Sequence, residues 1–157
     1  SMTPRTLMNR GLTFLELTIS VGILAILLVI VVPSFMDFRR NSILSTETQN
    51  VITLVNKARL SSMSSKEDFQ YGVHFEADKV ILFQGDTYTA GAGTNEEHVL
   101  NTALTLSPIV VNGGGADVVF QKVTGATNQN ATTTLLVIGG TASTTIVVFP
   151  SGVSTRN

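Results

Sequence analysis

Arg10-Gly11-Leu12-Thr13-Phe14-Leu15-Glu16 opens the stretch that decides the fold, and an uncharged run from Leu17 to Met36 follows it. About 20 apolar residues suffice to cross a bilayer as an α-helix, so the run predicts a membrane-spanning segment. Glu16 places a single carboxylate at the edge of this segment. A charge costs about 2.5–3.5 kcal/mol at a bilayer centre, which predicts that Glu16 has a partner.

The same residues resemble the class III signal of type IV pilins and pseudopilins, because a basic leader, a glycine, a spaced glutamate and an apolar span coincide. The resemblance implies that a prepilin peptidase cuts between Gly11 and Leu12 and that the new N-terminus at Leu12 is methylated. It also implies that Glu16 assembles the filament by pairing with the Leu12 amine of a neighbouring subunit. Leu12 stands where phenylalanine or methionine is commoner.

Two other interpretations of 12–32 stay open. A cleaved secretory signal would end in small residues after the apolar run, and Val31-Val32-Pro33-Ser34 is a poor site of that kind. A plain single-span anchor fits the length but leaves Glu16 and Gly11 unexplained. Arg5 and Arg10 precede the span, which predicts a cytoplasmic leader and an exported body.

The helical pattern continues beyond the apolar run, to about residue 64. Leu44, Val51, Val55 and Ala58 recur at helical spacing and predict one buried stripe. Pro33 lacks an N–H and clashes with the preceding turn, so we predict a kink there. Gly22 is predicted to loosen the same segment. The helix therefore has two environments, lipid or other helices first and a globular domain second.

From Phe69 onward the period changes from helix to strand. Apolar and polar residues alternate from Phe69 to Glu76, Ala77-Asp78 supplies a turn, and 79–84 returns, which predicts a hairpin. A loop is predicted over 86–97 and a polar, mobile connection over 124–133. Further strands are predicted over Val99–Leu106, Asp117–Val123, Thr134–Ile138 and Thr144–Phe149. Short strands at this spacing favour an antiparallel sheet or a small sandwich covered by the helix stripe.

This half also resembles the H-type minor pseudopilins of type II secretion systems and related minor pilins. The pieces that carry the resemblance are Lys57-Ala58-Arg59, Tyr71-Gly72-Val73-His74-Phe75, Leu82-Phe83-Gln84-Gly85, Val119-Phe120 before Thr124-Gly125, and the closing segment from Ile146 to Gly152. The resemblance implies a two-sheet β domain on the helix. Some relatives used in DNA uptake carry arginines in the final hairpin, where this chain has only Arg156.

Composition limits the function classes. Loss of Arg5 and Arg10 with the leader would leave eight basic against eleven acidic residues, a net charge of −3 that argues against nucleic acid as a partner. With no cysteine, the chain has neither a disulfide nor thiol chemistry. Ser1 before Met2 is interpreted as a remnant of expression.

The titratable residues do not converge on an active site. His74 reads as a surface histidine on the polar face of a strand, and Glu96-Glu97-His98 is a weak metal candidate because adjacent side chains point different ways. The serines have no aligned His–Asp partners. We therefore expect no enzyme activity, no cofactor and no metal.

Together these patterns predict an α+β protein, a long N-terminal helix on an antiparallel sheet or small sandwich. The predicted parts are a leader (1–11), a transmembrane and assembly half of the helix (12–36), its second half (37–66) and a β-rich domain (67–157).

The predicted function is a minor pilin or pseudopilin of a type IV pilus or type II secretion-like filament. The alternatives are a major pilin, a filament-borne module for DNA uptake or adhesion, and an exported enzyme on a membrane anchor, which would need a polar cleft with converging acid, base or metal ligands. The expected partners are the prepilin peptidase, other pilin or pseudopilin subunits, an inner-membrane assembly platform and membrane lipid. The expected location is the bacterial inner membrane, with an exported domain that later joins an extracellular or periplasmic filament.

Overall fold

The computed structural model describes residues 13–157, with the side chain of Lys66 left aside. Its elements are α1 (Phe14–Met63), a short 3₁₀ turn (Lys66–Asp68) and eight strands. The strands are β1 (Tyr71–Phe75), β2 (Lys79–Gln84), β3 (Glu96–Val99), β4 (Leu104–Val111), β5 (Asp117–Phe120), β6 (Ala131–Val137), β7 (Ser143–Val148) and β8 (Ser154–Arg156). This α+β architecture, a long apolar helix and two antiparallel sheets, confirms the predicted fold class.

The chain forms two compact units, which divide between Phe38 and Arg39. The described part of the first unit, 13–38, is helical from Phe14 and exposed along its whole length. The second unit, 39–157, contains the remainder of α1 and all eight strands. It also contains the buried residues of the described chain.

One face of α1 is buried in the second unit, as the helical spacing predicted. Its buried residues are Leu44, Thr48, Val51, Ile52, Leu54, Val55, Ala58 and Ser62. Six of them (44, 48, 51, 55, 58 and 62) recur every three or four positions, and Ile52 and Leu54 flank this row, which places the set on one side of a helix with 3.6 residues per turn. Val51, Val55 and Ala58 are fully buried, so this stripe is part of the hydrophobic core.

The strands form two four-stranded antiparallel sheets. The first sheet has the order β3-β2-β1-β5 and the second the order β4-β6-β7-β8. In the first, Val73 pairs with Leu82 and Val118, and these three side chains enter the core together. The inner faces of both sheets join the stripe of α1 in one hydrophobic cluster. The predicted hairpin of 69–75 with 79–84 is confirmed as β1–β2.

The prediction of one strand over Val99–Leu106 is wrong. β3 ends at Val99, and β4 begins at Leu104 in the other sheet. The side-chain oxygen of Asn101 accepts a hydrogen bond from the Ala103 amide at 3.0 Å, and its carbonyl accepts one from the Leu104 amide at 2.9 Å. Asparagine favours this kind of turn because its side chain bonds the backbone two residues on. The chain is thereby redirected from one sheet to the other.

Both predicted loops are shorter in the structure than in the prediction, and the closing segment contains a further strand. β3 starts at Glu96, inside the predicted loop 86–97, and β6 starts at Ala131, inside the predicted connection 124–133. The rest of that connection is fixed by contacts: Thr127 is buried and its amide bonds the Pro150 carbonyl at 2.9 Å. The Gln129 side chain accepts a hydrogen bond from the Val119 amide of β5 at 3.0 Å. β8 occupies the second half of 151–156, the segment that the resemblance assigned to the turn of the final hairpin.

Thr133 offers a test of core packing. Its side chain is 1% exposed and its hydroxyl has no hydrogen-bond partner among the described residues. Since burying an unpaired hydroxyl costs about 1–3 kcal/mol, we expect Thr133→Val to raise the free energy of unfolding by about 1 kcal/mol. Urea denaturation of a fragment spanning 41–157 measures it.

The neighbouring Thr134 provides the matched control. Its hydroxyl lies 3.1 Å from that of Thr145 on β7, so Thr134→Val removes a hydrogen bond and should give no gain in stability. Equal effects of the two substitutions would contradict the interpretation of Thr133.

Candidate functional site

The first compact unit presents a membrane-length apolar surface with no protein cover. Within the described residues, α1 is the one helix long and apolar enough to cross a membrane, and none of its most apolar window is buried. Phe14 is 86% exposed and Ile26 64%. Exposed apolar surface of this extent marks contact with lipid or with other proteins. The segment is therefore compatible with membrane anchoring, by length and composition.

Glu16 lies in the first turn of this helix and is exposed. No ion pair of residues 13–157 involves its carboxylate. The segment 14–36 has no other charged residue, so a counter-charge has to come from outside it. The positive end of the helix dipole partly stabilises a carboxylate in the first turn, but that contribution is worth about 0.3–1 kcal/mol when exposed.

Thr13 caps the helix that carries Glu16, and the sequence reasoning missed this role. The Glu16 amide donates to the Thr13 hydroxyl at 3.2 Å, which satisfies one of the unpaired N–H groups of the first turn. The signal was present: Thr13-Phe14-Leu15-Glu16 is the Thr-x-x-Glu pattern of a capping box before an apolar run. Because the bond uses the backbone of Glu16, the start of the helix does not depend on the Glu16 side chain.

Further polar groups of the segment are satisfied by its own backbone. The Thr18 hydroxyl donates to the Phe14 carbonyl at 2.8 Å, and the Ser20 hydroxyl to the Glu16 carbonyl at 2.7 Å. Such bonds to the preceding turn let small hydroxyls stay in an apolar helix. In this first part of the segment, the Glu16 carboxylate is the polar group left facing outward.

Gly22 and Pro33 both lie inside α1. A Cβ added to Gly22 would meet nothing within 4 Å, so the described chain itself gives no steric reason for a glycine. Pro33 is within continuous helix, and its missing N–H removes the bond that the Val29 carbonyl would otherwise accept. The kink at Pro33 and the loosening at Gly22 stay predictions. Gly11 and Leu12, the predicted cleavage site, lie outside the described residues.

The three consecutive candidates for metal binding on β3 take three different partners. Glu96 forms an ion pair with Lys57 of α1, and Glu97 lies 3.4 Å from the Lys79 ammonium on β2. His98 Nε2 lies 2.7 Å from a Glu47 carboxylate oxygen on α1. Within residues 13–157 no group of three or more metal-ligating side chains is placed to hold an ion.

These contacts connect the edge strand β3 to α1 and to β2. Desolvation alone would lower the pKa of Lys79, but the charges of Glu76 and Glu97 outweigh it and raise that pKa. Lys79 connects β2 to β3 through its ion pair with Glu97.

His74 is more enclosed than a surface histidine, with its side chain 20% exposed. Its Nδ1 contacts an Asp117 carboxylate oxygen on β5, and its Nε2 lies 3.6 Å from a Glu76 oxygen. The Tyr88 ring is stacked on the imidazole, with ring centroids 3.9 Å apart and planes 9° apart.

The closing hairpin β7–β8 adds one basic side chain to the surface. The Phe149 amide bonds the Val153 carbonyl at 2.9 Å across the turn. Arg156 is exposed on β8, 3.5 Å from the Ser45 hydroxyl of α1. Its groove, lined by Ser45, Thr46, Gln49, Asn50, Ile52, Ser154, Thr155 and Arg156, is mostly uncharged and polar. A single guanidinium is a weak site for a phosphate backbone, whose binding normally takes several cations.

Comparison with known proteins does not place the chain in a family. No protein-family model, no curated protein and no solved structure matches it. The similarity to pilins and pseudopilins therefore rests on the motif residues and the fold class described above.

Proposed function

We propose that the protein is a structural subunit, a minor pilin or pseudopilin, of a type IV pilus-like or type II secretion-like filament. The observation that carries the proposal is the exposed, membrane-length helix with one unpaired carboxylate in its first turn. Glu16 lies four residues after Leu12, the predicted first residue of the mature chain. The proposed mechanism is assembly through this helix.

The proposed assembly contact joins Glu16 of one subunit to the free amine of Leu12 on a neighbour. Each charge is costly in a low-dielectric environment when alone, and the pair offsets much of that desolvation. Because a misplaced helix would leave both charges unpaired, the contact selects the register as well as the partner. The apolar side chains of 14–36, exposed in the single chain, would supply the remaining adhesion between helices.

In the same proposal, the membrane holds the subunit until it is assembled into the filament. Before assembly, the apolar segment would lie in the bacterial inner membrane, with the basic leader in the cytoplasm and 39–157 exported. The second unit has its own hydrophobic core, so it would fold outside the membrane and then coat the filament. A plain anchor would need the apolar segment but neither the glycine of the leader nor Glu16.

Processing provides the direct test. Co-expression with a prepilin peptidase is expected to give a mature chain that begins at Leu12 and carries an N-terminal methyl group. Mass spectrometry of the intact protein and of its N-terminal peptide measures both. Gly11→Val is the matched control, because the glycine precedes the predicted cut, and it should block cleavage without changing the membrane segment. A product that starts after Val32, or an unprocessed chain, would overturn the proposal.

A further inference from the structure

The outer face of the first sheet, the face turned away from the hydrophobic core, has a small buried layer of its own. Ile81 and Phe83 on β2 are 0% and 1% exposed. Neither belongs to the core cluster, whereas Val80 and Leu82 between and beside them do. Since side chains alternate along a strand, Ile81 and Phe83 point outward. Something other than the core must cover them.

Phe83 lies flat against β1 because β1 has a glycine at that point. Gly72 is the cross-strand partner of Phe83, and a Cβ on Gly72 would lie 2.5 Å from Phe83 Cζ and 2.9 Å from the Val118 carbonyl oxygen. The pair two positions along the strand, His74 with Ile81, is on the same face. The imidazole and the phenyl ring therefore flank Ile81 on the outer face.

The cover comes from residues 85–95, the connection between β2 and β3, which we name the strap. Tyr88 is its one large side chain. The Tyr88 ring is stacked on His74 and also meets the Phe83 ring, with centroids 5.7 Å apart and planes tilted by 60°. Tyr88 thus contacts both rings that flank Ile81.

The strap holds its own shape through internal bonds. The Asn95 amide donates to the Ala92 carbonyl at 3.0 Å, and the Asn95 side chain donates to the Thr89 carbonyl at 2.8 Å. At its start, the Gly85 amide donates to the Gln70 carbonyl at 2.7 Å. These bonds give the strap a shape of its own, and the Tyr88 ring joins its middle to the sheet.

His74 is fixed in place as the receiving surface for that ring. Asp117 on β5 and Glu76 in the β1–β2 turn face its two nitrogens, and Lys79 on β2 lies 4.0 Å from Glu76. These contacts orient the imidazole plane without using its face. An aromatic pair stacked in this way is stabilised beyond the area that it buries.

We propose that the strap is a locally opening cover latched by Tyr88 on His74, and that its opening exposes the apolar pair Ile81 and Phe83 while the hydrophobic core stays folded. The inference is independent of filament assembly, because all its residues lie in the second compact unit. Local opening of this kind has a free energy below that of global unfolding. The opened face would be an apolar patch next to the edge strand β3.

A cysteine reporter tests the proposal, since the chain has no cysteine of its own. Ile81→Cys and Val80→Cys place a thiol on adjacent, fully buried positions of one strand, the first under the strap and the second in the core. Reaction with a thiol reagent is followed in the full-length chain in detergent. In an otherwise native chain, the thiol at 81 is expected to react faster than the thiol at 80.

Substitution of the latch should separate the two reporters further. We expect Tyr88→Ala to raise the reaction rate at 81 on the order of tenfold and to leave the rate at 80 unchanged. His74→Ala should raise the rate at 81 similarly. The double variant should raise it little further, because both substitutions remove the same ring contact. Thr87→Ala, at an exposed neighbour in the strap, is the matched control and should change neither rate.

The outcome that overturns the proposal is a parallel rise at 80 and 81, which would mean global unfolding, or no rise at 81. Hydrogen exchange of the cysteine-free chain gives a second measurement that does not rely on the reporters. Tyr88→Ala should speed exchange in 85–95 and leave β4 and β6 protected. Equal exchange of the strap in the native chain and in Tyr88→Ala would equally refute the latch.

Discussion

A fragment that begins at Asn41 is expected to be soluble, monomeric and cooperatively folded, whereas a fragment that begins at Asp68 aggregates. The first keeps every buried residue of α1, from Leu44 to Ser62. The second loses the whole stripe and uncovers the inner faces of both sheets, a patch large enough to drive association. Size-exclusion chromatography with light scattering, followed by urea denaturation, measures the difference.

The reason for so large an effect is that α1 is tied to both sheets. Lys57 contacts Glu96 of the first sheet, and the Ser154 hydroxyl of the second sheet donates to the Asn56 side chain at 3.2 Å. The buried Ser62 hydroxyl also accepts a hydrogen bond from the Tyr71 amide at 2.8 Å, and it donates one to the Tyr71 carbonyl at 3.1 Å. The helix is thus a third layer of the domain.

Two leucines of the same helix give a matched control for this prediction. Leu54 is 6% exposed and Leu60 is 60% exposed. In the fragment 41–157, Leu54→Ala should lower the free energy of unfolding by about 2–5 kcal/mol, the usual cost of a buried Leu→Ala change. Leu60→Ala should change it little. Equal effects of the two substitutions, or a well-folded fragment from Asp68, would show that the stripe is not part of the core.

Glu16→Val is expected to exclude the subunit from filaments while processing, membrane insertion and folding of 39–157 continue. Removal of a charge from an apolar segment should favour insertion, and the Thr13 cap survives because it bonds the backbone amide of residue 16. In the filament, however, the variant would leave a neighbouring Leu12 amine without its counter-charge. Breaking a buried pair in this way costs about 3–5 kcal/mol, or more than a hundredfold in competition with the normal subunit.

The measurement is the ratio of variant to normal subunit in sheared filaments, compared with the same ratio in membranes. Thr18→Val is the matched control: it also removes a polar group from this segment, but the Thr18 hydroxyl is already bonded to its own helix. We expect normal incorporation of Thr18→Val. Incorporation of Glu16→Val at the normal proportion would refute the assembly role of Glu16 and favour a plain membrane anchor.

Local patterns were sufficient for the parts of the chain that have one environment. The helix from about 13 to 64, the stripe at Leu44, Val51, Val55 and Ala58, and the hairpin of β1 with β2 all follow from periodicity. The Thr13 cap was also readable from the Thr-x-x-Glu pattern, although the sequence reasoning passed over it. Each of these features depends on residues at most four positions apart or on one tight turn.

Periodicity failed where the structural role of a residue depends on a hydrogen bond between its side chain and the backbone. The run from Val99 to Leu106 looks like one strand, yet Asn101 turns it between two sheets. Gln129 sits in a polar stretch that predicted a loose connection, yet its side chain accepts a hydrogen bond from the Val119 amide of β5. Val119, the partner of Gln129, lies outside that polar stretch, whereas Asn101 bonds Ala103 and Leu104 within its own run, where the alternating apolar side chains hide the turn.

The sequence alone determined that this protein has a membrane-length apolar helix with one charge at its start and a β-rich domain after it. The period and the length of an apolar segment are local properties, so they can be read from the sequence without knowing which segments it packs against. The tertiary structure alone decided that Ile81 and Phe83 lie beneath a strap latched by Tyr88, and that His74 is held between Asp117 and Glu76. These contacts join residues on different strands, because strand register brings side chains together according to how the whole chain closes on itself.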